Sequence, residues 1–172
     1  MKIYLTILAL SLALVGCGNS TADTSDPGTL GERFRRAVPE DEYGTFAAAL
    51  RTPALADVLE ELDTVTNPHT VFVPNNAAFA AYFEAQGITQ EEFLARDDLR
   101  EFILTYIVRG SYNGDDIVAN ATFENMNGTT LTVSAEGDEV LVNGAPIWGK
   151  LNQIEPPFPT GFIYYLTEVI AP

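Results

Sequence analysis

One run of β-formers, Thr70-Val71-Phe72-Val73, interrupts a series of helical stretches, and strand-like alternation returns only beyond Asn127-Gly128. This order constrains the fold more than any other feature. Helices first, a lone strand among them and an antiparallel sheet at the end describe an α+β domain, not a repeating βα unit. Before the strand, Phe46, Ala49 and Leu50 lie three and four apart, as one helix face requires. Thr52-Pro53 then has the form of a cap with proline at the first helical position, and Leu55, Val58, Leu59 and Leu62 make a buried stripe. Asn67-Pro68 punctuates its end, leaving His69 in a turn ahead of the strand.

After the strand, Pro74 stops the extended run, and Asn75 or Asn76 can cap a helix carrying Ala77, Ala78, Phe79, Tyr82 and Phe83. Thr89 and Glu92 have capping-box spacing over a short helix that buries Phe93 and Leu94. Asp98 and Glu101 repeat the spacing before a helix presenting Leu99, Phe102, Ile103 and Tyr106, with Gly110 at or just past its end. Beyond Asn127-Gly128, Leu131 and Val133 alternate with Thr130 and Thr132. Gly137-Asp138 separates these from Val140-Leu141-Val142, and Asn143-Gly144 turns the chain again. Pro156, Pro157 and Pro159 exclude regular structure before a final strand, Phe162 to Ile170. There is no internal repeat, so residues 32–172 read as one domain.

The N-terminus has a different character. Lys2 precedes an apolar run from Leu5 to Val15, too short to span a hydrocarbon core but right for an export signal. Leu14-Val15-Gly16-Cys17 follows and looks like a bacterial lipobox, in which the cysteine is acylated and becomes the new N-terminus. The expected organisation is a signal peptide over 1–16, then a lipidated Cys17 with a polar tether over 17–31. Gly18 stands where similar lipoproteins often carry an inner-membrane retention aspartate, which favours the outer membrane, facing the periplasm or the cell surface. Cys17 is the only cysteine, so the folded part must be held by packing without a disulfide. Taking the first sixteen residues from the 172-residue chain leaves 156, with eight basic and 24 acidic side chains and a formal charge near −16. That charge opposes binding to nucleic acid or anionic headgroups through a basic patch.

Four stretches together resemble the fasciclin (FAS1) domain family. Thr70-Val71-Phe72-Val73-Pro74-Asn75-Asn76-Ala77-Ala78-Phe79 resembles its first signature, and Leu99 to Gly110 its leucine-rich helix leading to a Tyr-His pair and a glycine. Gly128 to Val133 and Val142-Asn143-Gly144 echo its Gly-x-x-Leu-x-Val and VNG elements, and Thr160 to Pro172 its closing motif. The similarity covers about Phe34 to Pro172. It implies a FAS1-like wedge-shaped β-sandwich packed against several helices, and a role in adhesion or recognition. Two departures matter: Ile107 replaces the histidine after Tyr106, and Tyr164 replaces the histidine of the closing motif. Both positions suit buried core residues whose volume the substitute keeps, so a receptor role carried by a Tyr-His pair is doubtful for this chain.

Little in the chain carries chemistry. His69 is the only histidine, with no motif linking it to Ser111 or Ser134, and a lone imidazole makes a poor metal site. Asp115-Asp116 and Glu136 to Glu139 read as solvated turns without calcium-loop spacing. No catalytic residue, metal or cofactor is expected. The preferred reading is a membrane-anchored extracytoplasmic module that binds a protein or carbohydrate of the envelope or its surroundings. Tyr106, Tyr112, Trp148 and Tyr164 are its candidate binding residues. The alternatives are a structural envelope lipoprotein without a dedicated ligand, and a small-ligand binder or hydrolase using an atypical cleft.

Overall fold

The computed structural model describes residues 40–62, 67–149 and 161–170. Cys17, the tether, the expected domain start at residue 32 and the proline run at 156–159 lie outside them. The helical part comprises α1 (Glu40–Leu50), a 3-10 turn at Pro53–Leu55, α2 (Ala56–Leu62), α3 (Asn76–Gln86), α4 (Gln90–Leu94), α5 (Leu99–Leu104) and α6 (Gly114–Ala119). The strands are β1 (His69–Pro74), β2 (Ile107–Arg109), β3 (Thr122–Glu124), β4 (Thr130–Glu136), β5 (Glu139–Val142), β6 (Ala145–Pro146) and β7 (Gly161–Leu166). They form two sheets, β2-β1-β7 and β3-β4-β5-β6. Bridges from Val108 to Asn125 and from Ile147 to Leu166 join them. Helices packed against small sheets are the architecture the chain's order of elements implies.

All six residues of β1 are buried, and the strand is central in its sheet. It pairs antiparallel with β2 and parallel with β7, in register from His69 opposite Gly161 to Pro74 opposite Leu166. The parallel pairing joins the first strand of the domain to the last, which no local pattern announces. The final strand is therefore an edge strand and ends at Leu166, short of the expected Ile170. Its two faces are still largely covered: Tyr164 stacks on Phe72 with centroids 5.7 Å apart, and Tyr165 lies 4.4 Å from Tyr43. Gly161 sits at φ +127°, and a Cβ there would overlap the His69 backbone carbonyl, so the strand begins where only glycine fits.

Local signals set several helix ends. Asn75 caps α3 by accepting from the Ala78 N–H at 2.7 Å, and left-handed Gly87 closes it. Thr89 and Glu92 form the expected capping box of α4. The Asp98 to Glu101 box does not form. Asp98 is drawn away by Arg96, whose guanidinium grips both carboxylate oxygens. That guanidinium also lies 5.7 and 5.3 Å from the Phe93 and Phe102 ring centroids, over a cluster that includes Phe79, Tyr82 and Phe83.

The stretch expected to be helical through Tyr106 stops at Leu104, and Ile107–Arg109 turns into β2 because β1 offers a free edge. Asp115-Asp116, expected in a turn, starts α6, whose Asn113 cap and Asp116 make a reciprocal capping box. The core gathers Phe46, Leu50, Phe72, Phe79, Phe93, Ile103, Tyr106, Ile107 and Tyr164 into one cluster. Burial of side chains this large, each contributing roughly 1.5–3 kcal/mol, does the work a disulfide does elsewhere.

Candidate functional site

The four aromatic candidates part company once the chain folds. Tyr106 and Tyr164 are fully buried, so neither can meet a partner, and their expected binding role is corrected to a core one. Tyr106 donates to the Ile170 carbonyl at 3.3 Å, and Tyr164 to the Tyr112 carbonyl at 2.9 Å. Burial pushes both phenols well above the ordinary tyrosine range, which keeps them neutral donors. Ile107, at the position of the missing histidine, is likewise buried.

Tyr112 is half-buried, its ring edge-on to Phe123 at 4.8 Å. It lines a cleft of about 330 Å³ with Arg109, Asn120 and Glu124. Its backbone is fixed by a 3.1 Å bond from its N–H to the Thr70 hydroxyl, which itself donates to the Gly110 carbonyl at 2.8 Å.

Trp148 differs from the other three. The only tryptophan of the chain, it is 61 % exposed. Two neighbours hold its backbone: its own N–H donates to the Tyr165 carbonyl at 2.7 Å, and the preceding residue, Ile147, is buried in the bridge to Leu166. The backbone under the exposed indole is thus tied to β7. It lines a cleft of about 340 Å³ with Asp41, Glu42, Tyr43, Asn75, Asn76 and Ala77. The floor of that cleft is rigid: the Asn76 side chain accepts from the Thr45 N–H at 3.0 Å and donates to the Asp41 carbonyl at 2.9 Å. A second, more apolar depression of about 420 Å³ shares Ala77 and runs on to Ala81, Tyr82 and Val169. Sequence reasoning had found Trp148 but not the α1 residues facing the same cleft, since nothing local links positions a hundred residues apart.

His69 is corrected from an exposed turn to a fully buried first residue of β1. Its Nε2 lies 3.4 Å from Glu61, but neither ring nitrogen has hydrogen-bonding geometry among the described residues. Desolvation holds its pKa below the usual imidazole value, against the opposing pull of Glu61. Ser111 and Ser134 are exposed and not bonded to it, so no nucleophile–base pair is assembled. Among the described residues no three His, Cys, Asp or Glu side chains converge on a metal-sized site, and no helix is long and apolar enough to cross a membrane.

Asn125 is a structural residue that the sequence did not reveal. Only 4 % exposed, it donates to the Thr105 carbonyl at 3.2 Å and to the Thr129 hydroxyl at 2.7 Å. Its Oδ1 accepts from the Asn127 and Thr129 N–H groups at 3.1 and 2.9 Å. The side chain thereby ties the β3–β4 turn to the end of α5.

Comparison with known proteins agrees with this architecture. Residues 41–172 match the fasciclin domain family. The chain is 28 % identical over 134 residues to the transforming growth factor-beta-induced protein ig-h3 of Sus scrofa, covering 77 % of this chain and 18 % of that protein. It is 27 % identical over 134 residues to periostin of Homo sapiens, covering 77 % of this chain and 15 % of the other. The chain thus spans less than a fifth of the length of these relatives. Its fold is similar to that of a FAS1 domain pair from the insect cell adhesion molecule fasciclin I, with a TM-score of 0.52 at 18 % identity, over 74 % of this chain and 44 % of that one. On the family match, with Thr70–Pro74, Ala78 and Phe79 of the resembling stretch buried, the chain belongs to the fasciclin domain family.

Proposed function

We propose that this protein is a lipid-anchored extracytoplasmic module that recognises a protein or carbohydrate partner through the face carrying Trp148, with Tyr112 as a second contact. Proteins of the fasciclin family are structural and adhesion modules, not enzymes. The observation that carries the reading is the exposure of the sole tryptophan beside a preformed cleft, while the other aromatics among the described residues are wholly or partly buried. Anchoring rests on Cys17 directly after the apolar leader, where acyl chains would hold the domain at a bilayer and residues 18–31 would act as tether. Gly18 after the cysteine supports the outer membrane as the destination.

Two measurements test the proposal. Mass spectrometry of the protein from its native host should find Cys17 acylated and the leader removed; a free thiol with the leader attached would end the anchoring part. Capture of envelope material by the wild-type domain should be saturable and should weaken at least about tenfold for Trp148→Ala, the loss expected of an interface anchor. Capture undiminished from wild type in both Trp148→Ala and the Tyr112→Ala, Trp148→Ala double variant would refute the recognition face.

A further inference from the structure

We infer that the Trp148 cleft receives an arginine side chain of a partner protein. The inference rests on the recognition reading above and names the chemistry of its ligand. The Trp148 side chain is 61 % exposed and makes no aromatic stacking contact among the described residues. Asp41 and Glu42 in the same cleft are exposed and have no cationic partner among the described residues. The neighbouring depression, which shares Ala77, adds one further carboxylate, Glu168, and no cation among the described residues. Among the described residues the charged side chains lining both depressions are thus carboxylates, on a chain of net charge −15.

That field draws in cations and repels an anionic ligand before contact. The N-terminus of α3 offers no counter-attraction in its cap, because Asn75 already accepts from the Ala78 N–H. A guanidinium uses every element present. Its plane stacks on indole, and its fork of N–H donors matches carboxylates in a way an ammonium does not. Past Ala77 the lining becomes apolar at Ala81, Tyr82 and Val169, which suits an aliphatic residue next to the arginine. A neutral saccharide would also stack on Trp148 and could donate hydroxyls to the carboxylates, but it carries no charge for the field to draw in.

Trp148 is the only tryptophan, so emission from the full chain reports on this cleft and nowhere else. The peptide N-acetyl-Gly-Arg-Leu-amide should change that emission saturably in the millimolar range at about 50 mM salt, and bind more weakly as salt rises. The citrulline peptide, equal in shape but uncharged, should bind about tenfold more weakly. Asp41→Asn with Glu42→Gln should weaken the arginine peptide by a similar factor and flatten its salt dependence, with unchanged circular dichroism showing that the variant is folded. Equal binding of the citrulline peptide, a response to a neutral oligosaccharide at lower concentration, or no saturable response would each overturn the inference. If wild-type capture of an envelope partner is lost in Trp148→Ala but not competed by the arginine peptide, the recognition reading stands and this inference alone falls.

Discussion

Replacing Asn125 by alanine tests whether one buried amide holds the helical part of the domain to the second sheet. The substitution deletes four side-chain hydrogen bonds, two donated to Thr105 and Thr129 and two accepted from Asn127 and Thr129. At about 0.5–1.5 kcal/mol net each, the sum is roughly 2–6 kcal/mol. Asn127 and Thr129 are exposed and regain water on deletion, whereas Thr105 is half-buried. The lower half of the range follows, near 3 kcal/mol. For a domain of this size that lowers Tm by about 12 °C. Urea unfolding followed by circular dichroism should show the loss as a lower midpoint at unchanged m-value. A double-mutant cycle with Thr129→Val should give a coupling of about 1 kcal/mol, because that change removes the hydroxyl that accepts from Asn125 while the Thr129 N–H bond to Asn125 persists. A loss below about 1 kcal/mol for Asn125→Ala, or zero coupling, would refute the argument that this side chain stitches the halves together.

Three further outcomes are expected. Gly161→Ala places a Cβ against the His69 carbonyl at a backbone angle closed to other residues, and should cost about 3 kcal/mol or more, read as a fall in urea midpoint. His69 has a depressed pKa from burial, so the unfolded chain binds its proton more readily; stability is complete above about pH 6.5 and falls as pH drops below it. The wild-type urea midpoint should therefore decrease from about pH 7.5 to 5 while His69→Gln responds less, and equal slopes would count against the assignment. Tyr164→Phe removes the 2.9 Å bond to the Tyr112 carbonyl and should cost about 1 kcal/mol, with Trp148 emission unchanged because the two side chains lie in different environments.

Elements whose information is local were legible in the chain. The Asn75 cap, the Thr89 to Glu92 box and the Asn143-Gly144 turn are each decided by residues within four positions, and all appear as read. Elements whose information is distant were not. The segment Ile107–Arg109 continues a helical pattern and becomes a strand only because β1 lies beside it. His69 looks like turn punctuation after Pro68, yet Gly161, more than ninety residues on, closes over it. Asp98 has capping-box spacing, but Arg96 competes for its carboxylate with a full charge against a backbone N–H.

The same split between local and distant information shows where recognition can lie. Tyr106, and Tyr164 at the position of the closing-motif histidine, fill the centre of the domain and give their hydroxyls to backbone carbonyls, with Ile107 buried beside them. With these positions in the core, the recognition proposed for this chain falls to the rim, where side chains come from elements far apart in the chain. Trp148 follows the β5–β6 hairpin, Asp41 and Glu42 start α1, and Ala77 opens α3; only the closed fold sets them round one cleft. The hairpin is bound to β7 through Ile147 and the Trp148 N–H, and α1 is bound to α3 through Asn76, so the elements round the cleft are tied to one another apart from the central core side chains. Binding there should accordingly respond to substitutions in the cleft itself and not to core changes that leave the domain folded, which is why the Tyr164→Phe and Trp148→Ala variants form a matched pair: the first should lower stability without loss of capture, the second should do the reverse.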